Sequence, residues 1–463
     1  MKKDTLIRMT TGSPAKLILR FTWPLLLGNL MQQLYNIVDS IVVGQFVGHT
    51  ALAAVGTTFP VVFLMISLFI GLGTGATVII SQYYGAEDQK NVKRTIDTIY
   101  LTMLGVAIPL TAIGILLARP LLILIDTPAD VLPQATTYMQ IIFAGLIASF
   151  GFNVNNGILQ GLGDSRSPLL FLGIATVLNI ILDLFFVLVF NWGVMGVALA
   201  TIIAQLVAFG FSIWHINRNQ EFIRISPRGL NPSRRILWKS VRIGLPTGLQ
   251  NVSFSLGTMV LQRLINGYQS EFMAGFIAAN RIDTLAFLPM MSFSIAITTF
   301  VGQNIGAGQI ERARKGVRSA VLLSTIVCLV ICPIILIFAR PLLMMFNDDP
   351  LVIESGLAYL NRVIPFFVLL SLLFILSGAL RGAGETMIPL FSSVGSLWIA
   401  RLPVAYLLAH YAGRDSLFFS FPIGFAIGLA IVVPYYLSGR WLKKSLVEQK
   451  NDFHEGGSAD ALL

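Results

Sequence analysis

Twelve long apolar segments follow one another along the 463-residue chain, and they constrain its fold more than any other feature. Each is long enough to cross a hydrocarbon core of about 30 Å as a helix, which takes about 20 residues. Only 12% of the residues are charged, whereas soluble domains carry about 25%. These observations exclude a soluble globular protein and predict an all-α integral membrane protein. The predicted transmembrane helices are 16–44, 52–84, 95–117, 130–160, 167–191, 193–216, 237–266, 272–304, 316–338, 351–380, 386–409 and 418–440.

Basic residues are distributed unevenly between the connections of these helices. With the N-terminus placed inside, the inner connections and tails hold 25 of the 32 Lys and Arg residues. The outer loops hold three, and the spans hold the other four, Arg263, Arg281, Arg362 and Arg401. Lys and Arg concentrate on the cytoplasmic side of membrane proteins. We therefore expect a multi-pass protein of the plasma (inner) membrane with both termini cytoplasmic. The net charge of +10 is explained by this topology and by the lipid bilayer as a partner, and we expect no nucleic acid.

The two halves of the chain align when the sequence is shifted by 221 residues. Residues 118–122 and 339–343 both read Ala-Arg-Pro-Leu-Leu, and Gln82 falls on Gln303. Six helices per half place both halves in the same orientation, so the repeats are related by an axis along the membrane normal. Two such bundles facing each other are typical of a transporter. We expect an N-terminal six-helix lobe, a basic cytoplasmic linker, a C-terminal six-helix lobe and a disordered cytoplasmic tail, over residues 1–217, 218–235, 236–444 and 445–463.

Two aspartates, Asp39 and Asp183, lie at similar depth within predicted spans of the N-terminal half. A carboxylate at the bilayer centre costs on the order of 2.5–3.5 kcal/mol on insertion scales, which favours a functional role. Asn179 lies one turn before Asp183 on the same face, and Thr201 reaches a similar depth in the next span. All four offer oxygen atoms, which suit a proton or a hard monovalent cation such as Na⁺. The repeat places Leu261 and Val404 where the second half would need carboxylates, so this site belongs to the N-terminal lobe.

Further polar residues on the same helices are candidates to line a substrate lumen. Tyr35 and Asn36 share the Asp39 face of the first span, and Tyr138, Asn153 and Asn156 lie on the fourth. For each of these residues, and for the carboxylate pair, the alternative is a hydrogen-bonded polar cluster that fixes helix packing.

Pro24 lies early in the first span, where a proline removes a backbone hydrogen bond and kinks the helix. The kink is either static or a bend that changes with the occupancy of Asp39. Asp283 lies near Arg281 in the eighth span, and for this pair, as for Arg401, a local charge-compensating role and a functional role both stay open.

The sequence carries no machinery for enzymatic chemistry. It contains no G-x-x-x-x-G-K-[ST] motif for a nucleotide phosphate, and its four histidines are scattered without metal-ligand spacing. Cys328 and Cys332 lie one turn apart inside a span and are expected to be apolar fillers. We therefore expect no enzyme, no catalytic residue, no cofactor and no metal other than a possible Na⁺ ion.

The chain resembles the multidrug and toxic compound extrusion (MATE) family, and within it the DinF-like branch, over nearly its whole length. The resemblance rests on twelve spans in two parallel halves and on Trp23, Pro24, Asp39, Asn179, Asp183 and Thr201. It implies a V-shaped pair of six-helix bundles that alternates between inward- and outward-open states. It also implies export of varied, often cationic drugs and toxins in exchange for H⁺ or Na⁺.

The resemblance further assigns roles to individual residues. It implies that Asp39 and Asp183 carry the coupling ion with Asn179 and Thr201, and that Pro24 is the bend. It implies that the lumen includes Tyr35, Tyr138, Asn153 and Asn156. The acidic residues that the NorM-like branch places in the seventh and tenth spans have no counterpart at matching depth here.

One alternative from another class stays open at this point, a lipid-linked oligosaccharide flippase of the same superfamily. It would need a strongly basic cavity for a pyrophosphate, which the four intramembrane arginines leave conceivable, whereas the carboxylate pair favours cation coupling. We expect a monomer, and the sequence does not decide between H⁺ and Na⁺.

Overall fold

The described residues form α-helices, some of which join end to end, so that twelve helical rods follow one another along the chain. The computed structural model describes residues 6–219, 223–225 and 229–447, except for the side chain of Leu68. No strand occurs among these residues. The α-helices are α1 (Pro14–Val42), α2 (His49–Gly85), α3 (Gln89–Leu124), α4 (Leu132–Ala144), α5 (Leu146–Gly161), α6 (Arg166–Leu184), α7 (Gly193–Asn219), α8 (Arg234–Asn266), α9 (Ser270–Gly306), α10 (Ile310–Ile337), α11 (Ala339–Met344), α12 (Pro350–Val363), α13 (Phe367–Gly382), α14 (Met387–Val394), α15 (Leu402–Tyr411) and α16 (Ser420–Leu437).

These rods confirm the predicted membrane fold, with differences of detail. Within the described residues, nine helical segments are long and apolar enough to cross a membrane, and the bent pair α4–α5 makes a tenth. The two remaining rods, α1 and α8, are the first helices of the two halves, and they contain more polar residues. The predicted fourth span is bent by 50° at Gly145, where the side chain of Ile202 occupies the space that a Cβ atom would need.

The two halves repeat their internal contacts as well as their sequence. In the first half, Thr77 of α2 donates a hydrogen bond to the carbonyl of Gly157 in α5 at 2.9 Å. In the second half, Thr298 of α9 donates to the carbonyl of Gly378 in α13, also at 2.9 Å. Both members of the second pair lie 221 residues after those of the first. The chain therefore forms two pseudo-symmetric bundles with the same helix packing.

Glycines let the two bundles approach each other where α2 meets α8. A Cβ atom on Gly71 would lie 2.3 Å from the carbonyl oxygen of Gly244, and one on Gly75 would lie 2.9 Å from that of Ser240. Close backbone approach at small residues is a usual way to pack helices in a membrane, where burial of apolar side chains gives little driving force.

In the part of the chain that the structure describes, side-chain hydrogen bonds join the two lobes along one half of their length. We call the end of the molecule that carries both ends of the described chain the terminal end, and the opposite end the distal end. Among the described residues, every side-chain hydrogen bond between the lobes lies in the terminal half, from Asn29–Ser292 near the middle to the contacts of Met9. The bundles therefore meet at the terminal end, as expected for a V-shaped pair.

The connection between the lobes is anchored on α3. The buried carboxylate of Asp97 pairs with Lys93 and accepts a hydrogen bond from the backbone N–H of Asn231 at 3.2 Å. The backbone N–H of Ser233 donates to Thr98 Oγ1 at 2.9 Å. The predicted linker 218–235 is helical up to Asn219 and again from Arg234. The first residues of the predicted disordered tail, 445–447, are instead held in place, since the backbone N–H of Leu446 donates to Gln82 at 2.7 Å; the tail from 448 onward lies outside the described residues.

A buried glutamate fixes the C-terminal segment beside the α13–α14 connection. The carboxylate of Glu385 accepts hydrogen bonds from Tyr435 at 3.0 Å and from the backbone N–H of Met387 at 3.1 Å, and it pairs with Lys444 at 3.1 Å. Burial alone would raise the pKa of Glu385, but Lys444, Tyr435 and Met387 outweigh it and hold the pKa below its ordinary value.

This geometry predicts a loss of stability in acid. A carboxyl group with a lowered folded-state pKa stabilises the fold above its unfolded pKa, and that contribution is lost as the pH falls through the folded value. We expect the melting temperature of the purified protein to fall below about pH 4.5, and to fall less in Glu385→Gln. The exposed Glu354→Gln is the control. Equal acid sensitivity in wild type and Glu385→Gln would contradict the prediction.

Candidate functional site

The two aspartates predicted from the sequence lie side by side. Asp39 in α1 and Asp183 in α6 bring their carboxyl groups close enough to share a proton. Asp183 and Asn179, which precedes it by one turn, are fully buried, and Asp39 is partly buried. The spacing of four residues places Asn179 and Asp183 on the α6 face that packs against α1.

The polar atoms of this group lack partners. Asp39 Oδ1, both carboxylate oxygens of Asp183 and both polar atoms of the Asn179 amide are buried without a hydrogen-bond partner in the described structure. A buried polar atom left unpaired costs about 1–3 kcal/mol, and more when it is charged. The arrangement therefore suits an added proton or a bound cation. Carboxylate and amide oxygens are donors that fit Na⁺ as well as a proton.

Two tyrosines and a threonine enclose the carboxylates from neighbouring helices. Tyr35 in α1 donates a hydrogen bond to Thr201 Oγ1 in α7 at 3.3 Å. Tyr138 in α4 is within electrostatic reach of both Asp39 and Asp183. Residues that are distant in the sequence thus converge from α1, α4, α6 and α7.

The helices that carry the aspartates change their winding just beyond them. A π-helical turn over Val43–Val47 follows Asp39, and another over Phe185–Val189 follows Asp183. Such turns interrupt the regular i→i−4 ladder and occur frequently at functional sites. The local backbone is therefore irregular on the distal side of both carboxylates.

A cavity of about 220 Å³ opens beside this group, between α1, α5, α6 and α7. Of the residues predicted from the sequence, Tyr35, Asn153, Asn156 and Pro24 line it. Tyr138 does not line it and instead lies beside the carboxylates. Asn36 is exposed, does not line the cavity, and its side chain makes no hydrogen bond within the described structure.

Sequence reasoning missed several polar residues that line the same cavity. They are Asn29, Gln32, Thr176, Gln160 and Gln205. Helical spacing could have identified three of them, because residues three or four positions apart lie on the same helix face. Gln32, Gln160 and Gln205 have this spacing from Tyr35, Asn156 and Thr201, respectively. Gln205 also bonds to Ser149, which ties α7 to α5.

Asp283, the aspartate within a predicted span of the C-terminal lobe, has a different setting. Tyr359 in α12 donates a hydrogen bond to Asp283 in α9. Arg401 is buried nearby, with its guanidinium 3.3 Å from the ring centre of Phe421. This carboxylate has a donor and a nearby cation, unlike the pair in the N-terminal lobe, which favours the charge-compensating role. Arg281 is exposed.

Comparisons with known proteins agree with this architecture. The MatE family model matches the chain twice, at residues 24–185 and 246–407. "Probable multidrug resistance protein YpnP" of Bacillus subtilis is 31% identical over 95% of this chain and 99% of its own length. An "FAD transporter" of Shewanella oneidensis is 28% identical over 92% of this chain and 94% of its own. A solved structure described as the outward-facing conformation of a multidrug resistance MATE family transporter matches with a TM-score of 0.89 and 26% identity, over 96% and 100% of the two chains.

The orphaned atoms predict that removing one carboxylate stabilises the protein. In Asp183→Asn, one charge is lost and the new amide can donate to Asp39 Oδ1. We expect the free energy of unfolding to rise by about 1–3 kcal/mol, measured as a higher melting temperature in detergent at neutral pH. The exposed Asp130→Asn is the control. A lower melting temperature for Asp183→Asn would mean that the carboxylate is a structural partner in its own right.

Proposed function

Since the chain belongs to the MatE family of transporters, we propose that it is an ion-coupled antiporter that exports drugs and toxins. In this proposal, varied and often cationic amphipathic compounds leave in exchange for H⁺ or Na⁺, and Asp39 and Asp183 bind the coupling ion. The observation that carries the proposal is the adjacent pair of carboxylates, with three buried oxygens that lack a hydrogen-bond donor in the described structure, beside a cavity of about 220 Å³.

The geometry supports a simple coupling mechanism. A proton or Na⁺ at Asp39 and Asp183 removes the repulsion between the carboxylates and satisfies their orphaned oxygens, with Asn179 and Thr201 as additional oxygen donors. Without it, the two carboxylates repel, and a cationic substrate in the adjacent cavity is attracted to them. Ion and substrate therefore compete for the same negative charge, which is what exchange requires.

The walls of the cavity suit chemically varied compounds. Its lining residues carry no formal charge; they combine amides such as Gln32, Asn153 and Asn156 with apolar side chains such as Phe152 and Leu172. An amide can donate or accept a hydrogen bond. The cavity therefore does not require one particular arrangement of donors and acceptors in the substrate. One relative is named an FAD transporter, and flavin-type compounds therefore belong among the substrates to be tested.

We further propose that the terminal end faces the cytoplasm and that the chain acts as a monomer. The sequence places 25 of the 32 Lys and Arg residues in the connections and tails predicted to be inner, and this supports the orientation. The N-terminal lobe, linker, C-terminal lobe and tail are proposed over 1–217, 218–235, 236–444 and 445–463.

The proposal predicts gradient-driven efflux that depends on Asp39. We expect liposomes containing the protein to move a cationic dye under an imposed pH gradient or an imposed Na⁺ gradient, tested separately. Asp39→Asn removes one of the two charges, so dye movement should fall to the level of protein-free liposomes, while Asp130→Asn should retain wild-type rates.

The outcomes separate the alternatives. Dye movement that Asp39→Asn leaves unchanged would overturn the assigned site. Absence of movement under either gradient, with measurable transfer of a fluorescent pyrophosphate-linked lipid, would favour the flippase.

The position of Pro24 predicts a defect in rate. Pro24 lines the cavity on the same helix as Asp39, and Pro24→Ala lets residue 24 donate a backbone hydrogen bond that straightens α1. One hydrogen bond of about 1 kcal/mol corresponds to about a fivefold change in a conformational equilibrium. We expect dye efflux to slow about fivefold while dye affinity stays within about twofold. Pro109→Ala in α3, a proline outside the cavity, is the control, and an equal effect of both variants would contradict a bending role.

A further inference from the structure

Two buried glutamines at equivalent positions of the repeat bond across the contact between the lobes. Gln82 Nε2 in α2 donates to the carbonyl of Gly382 in the C-terminal lobe at 2.9 Å. Gln303 Nε2 in α9 donates to the carbonyl of Gly161 in the N-terminal lobe at 3.1 Å. Donors and acceptors are each 221 residues apart, and the glutamines are exposed by only 0% and 1%. The two bonds are therefore a pseudo-symmetric pair.

The amide oxygen of each glutamine accepts a hydrogen bond from a segment near one end of the described chain. The backbone N–H of Met9 donates to Gln303 Oε1 at 3.0 Å. The backbone N–H of Leu446 donates to Gln82 Oε1 at 2.7 Å. An uncharged amide donates through its nitrogen and accepts through its oxygen, so one side chain serves both contacts. Each glutamine thus joins the opposite lobe to one terminal segment.

The N-terminal segment itself spans the contact. The N–H of Ile7 donates to the carbonyl of Gly163 in the N-terminal lobe at 3.1 Å. The carbonyl of Met9 accepts hydrogen bonds from Asn304 at 3.1 Å and Arg312 at 3.2 Å in the C-terminal lobe. Met9 is fully buried, so this segment is part of the joint.

Two glycines next to the glutamines allow the backbones to meet. A Cβ atom on Gly85 would lie 1.9 Å from the carbonyl oxygen of Gln303, and one on Gly306 would lie 1.9 Å from that of Gln82. These oxygens belong to the backbone, so a side chain could be admitted only by moving the lobes apart.

We propose that Gln82 and Gln303, with the segments at Met9 and Leu446, form a latch that holds the terminal end closed. We call these four residues the glutamine latch. Opening of this end requires both glutamines to leave their carbonyl partners and both segments to release. If only some of these hydrogen bonds break, the freed amide and backbone groups stay buried and unpaired. If the end opens fully, the same groups form hydrogen bonds with water. The latch therefore favours either a closed or a fully open end.

The inference rests on the proposed transport cycle, in which this end must open, but its test needs no transport. In a background with Cys328→Ala and Cys332→Ala, spin labels would be placed at the exposed Lys90→Cys and Lys315→Cys, at the terminal ends of α3 and α10. A second pair at Asp130→Cys and Asp348→Cys reports on the distal end. Distances would be measured by double electron–electron resonance in lipid nanodiscs.

We expect each of Gln82→Ala and Gln303→Ala to raise the population with a long terminal-end distance about fivefold, with a parallel shortening at the distal end. Leu446→Pro removes the N–H that reaches Gln82 and should act in the same direction. Gln89→Ala, an exposed glutamine at the same end, is the matched control and should leave the distances unchanged.

Gly306→Ala provides a second perturbation that keeps both glutamines. It should also lengthen the terminal-end distance, whereas Gly210→Ala, where an added Cβ meets nothing within 4 Å, should not. Unchanged distances in both glutamine variants, or broadening at both ends without a new population, would overturn the latch. A normal latch response in a protein that moves no dye would overturn the proposed function alone.

Discussion

The whole structure depends on the cost of leaving a backbone polar group unpaired in hydrocarbon. That cost makes each membrane crossing a helix, because only a helix satisfies its own N–H and C=O groups. The carbonyls that become available for other contacts lie at helix ends or beside glycines. Gly161 and Gly382 are such positions, at the last residues of α5 and α13. The lobes are therefore joined through backbone atoms at one end, and their remaining length is left able to separate.

The two lobes have the same helix packing but differ in their buried carboxyl groups. Thr77 and Thr298 make equivalent bonds in equivalent places, so the packing that carries the repeat is present twice. The unpaired carboxylates are present once, because Val404 stands where the repeat would place a second Asp183. Asp283, the aspartate within a span of the C-terminal bundle, is bonded to a tyrosine. Asp39 and Asp183 thus retain an uncompensated cost that the binding of a proton or cation can offset.

The sequence predicted the features that follow from spacing and composition. Helix number, the repeat and the depth of Asp39 and Asp183 needed only hydropathy and counting along helices. The sequence did not predict the bend at Gly145, where the side chain of Ile202 from another helix packs against the glycine. The partners of Gln82 and Gln303 escaped for a different reason: they are backbone carbonyls and N–H groups, which leave no trace in residue identity. The repeat marked both glutamines as equivalent, but only the folded chain showed what they bind.

A single helix links the elements on which the proposed cycle depends. The segment bound at Met9 leads into α1, Pro24 follows near the start of that helix, and Asp39 lies near its distal end. Asn29, between the last two, bonds to Ser292 of the opposite lobe at 3.0 Å. A helix with intact hydrogen bonds transmits displacement along its axis, except where a proline interrupts them. In the proposed cycle, a change of charge at Asp39 acts on the joint between the lobes through α1, and Pro24 separates Asp39 and Asn29 from the segment bound at Met9.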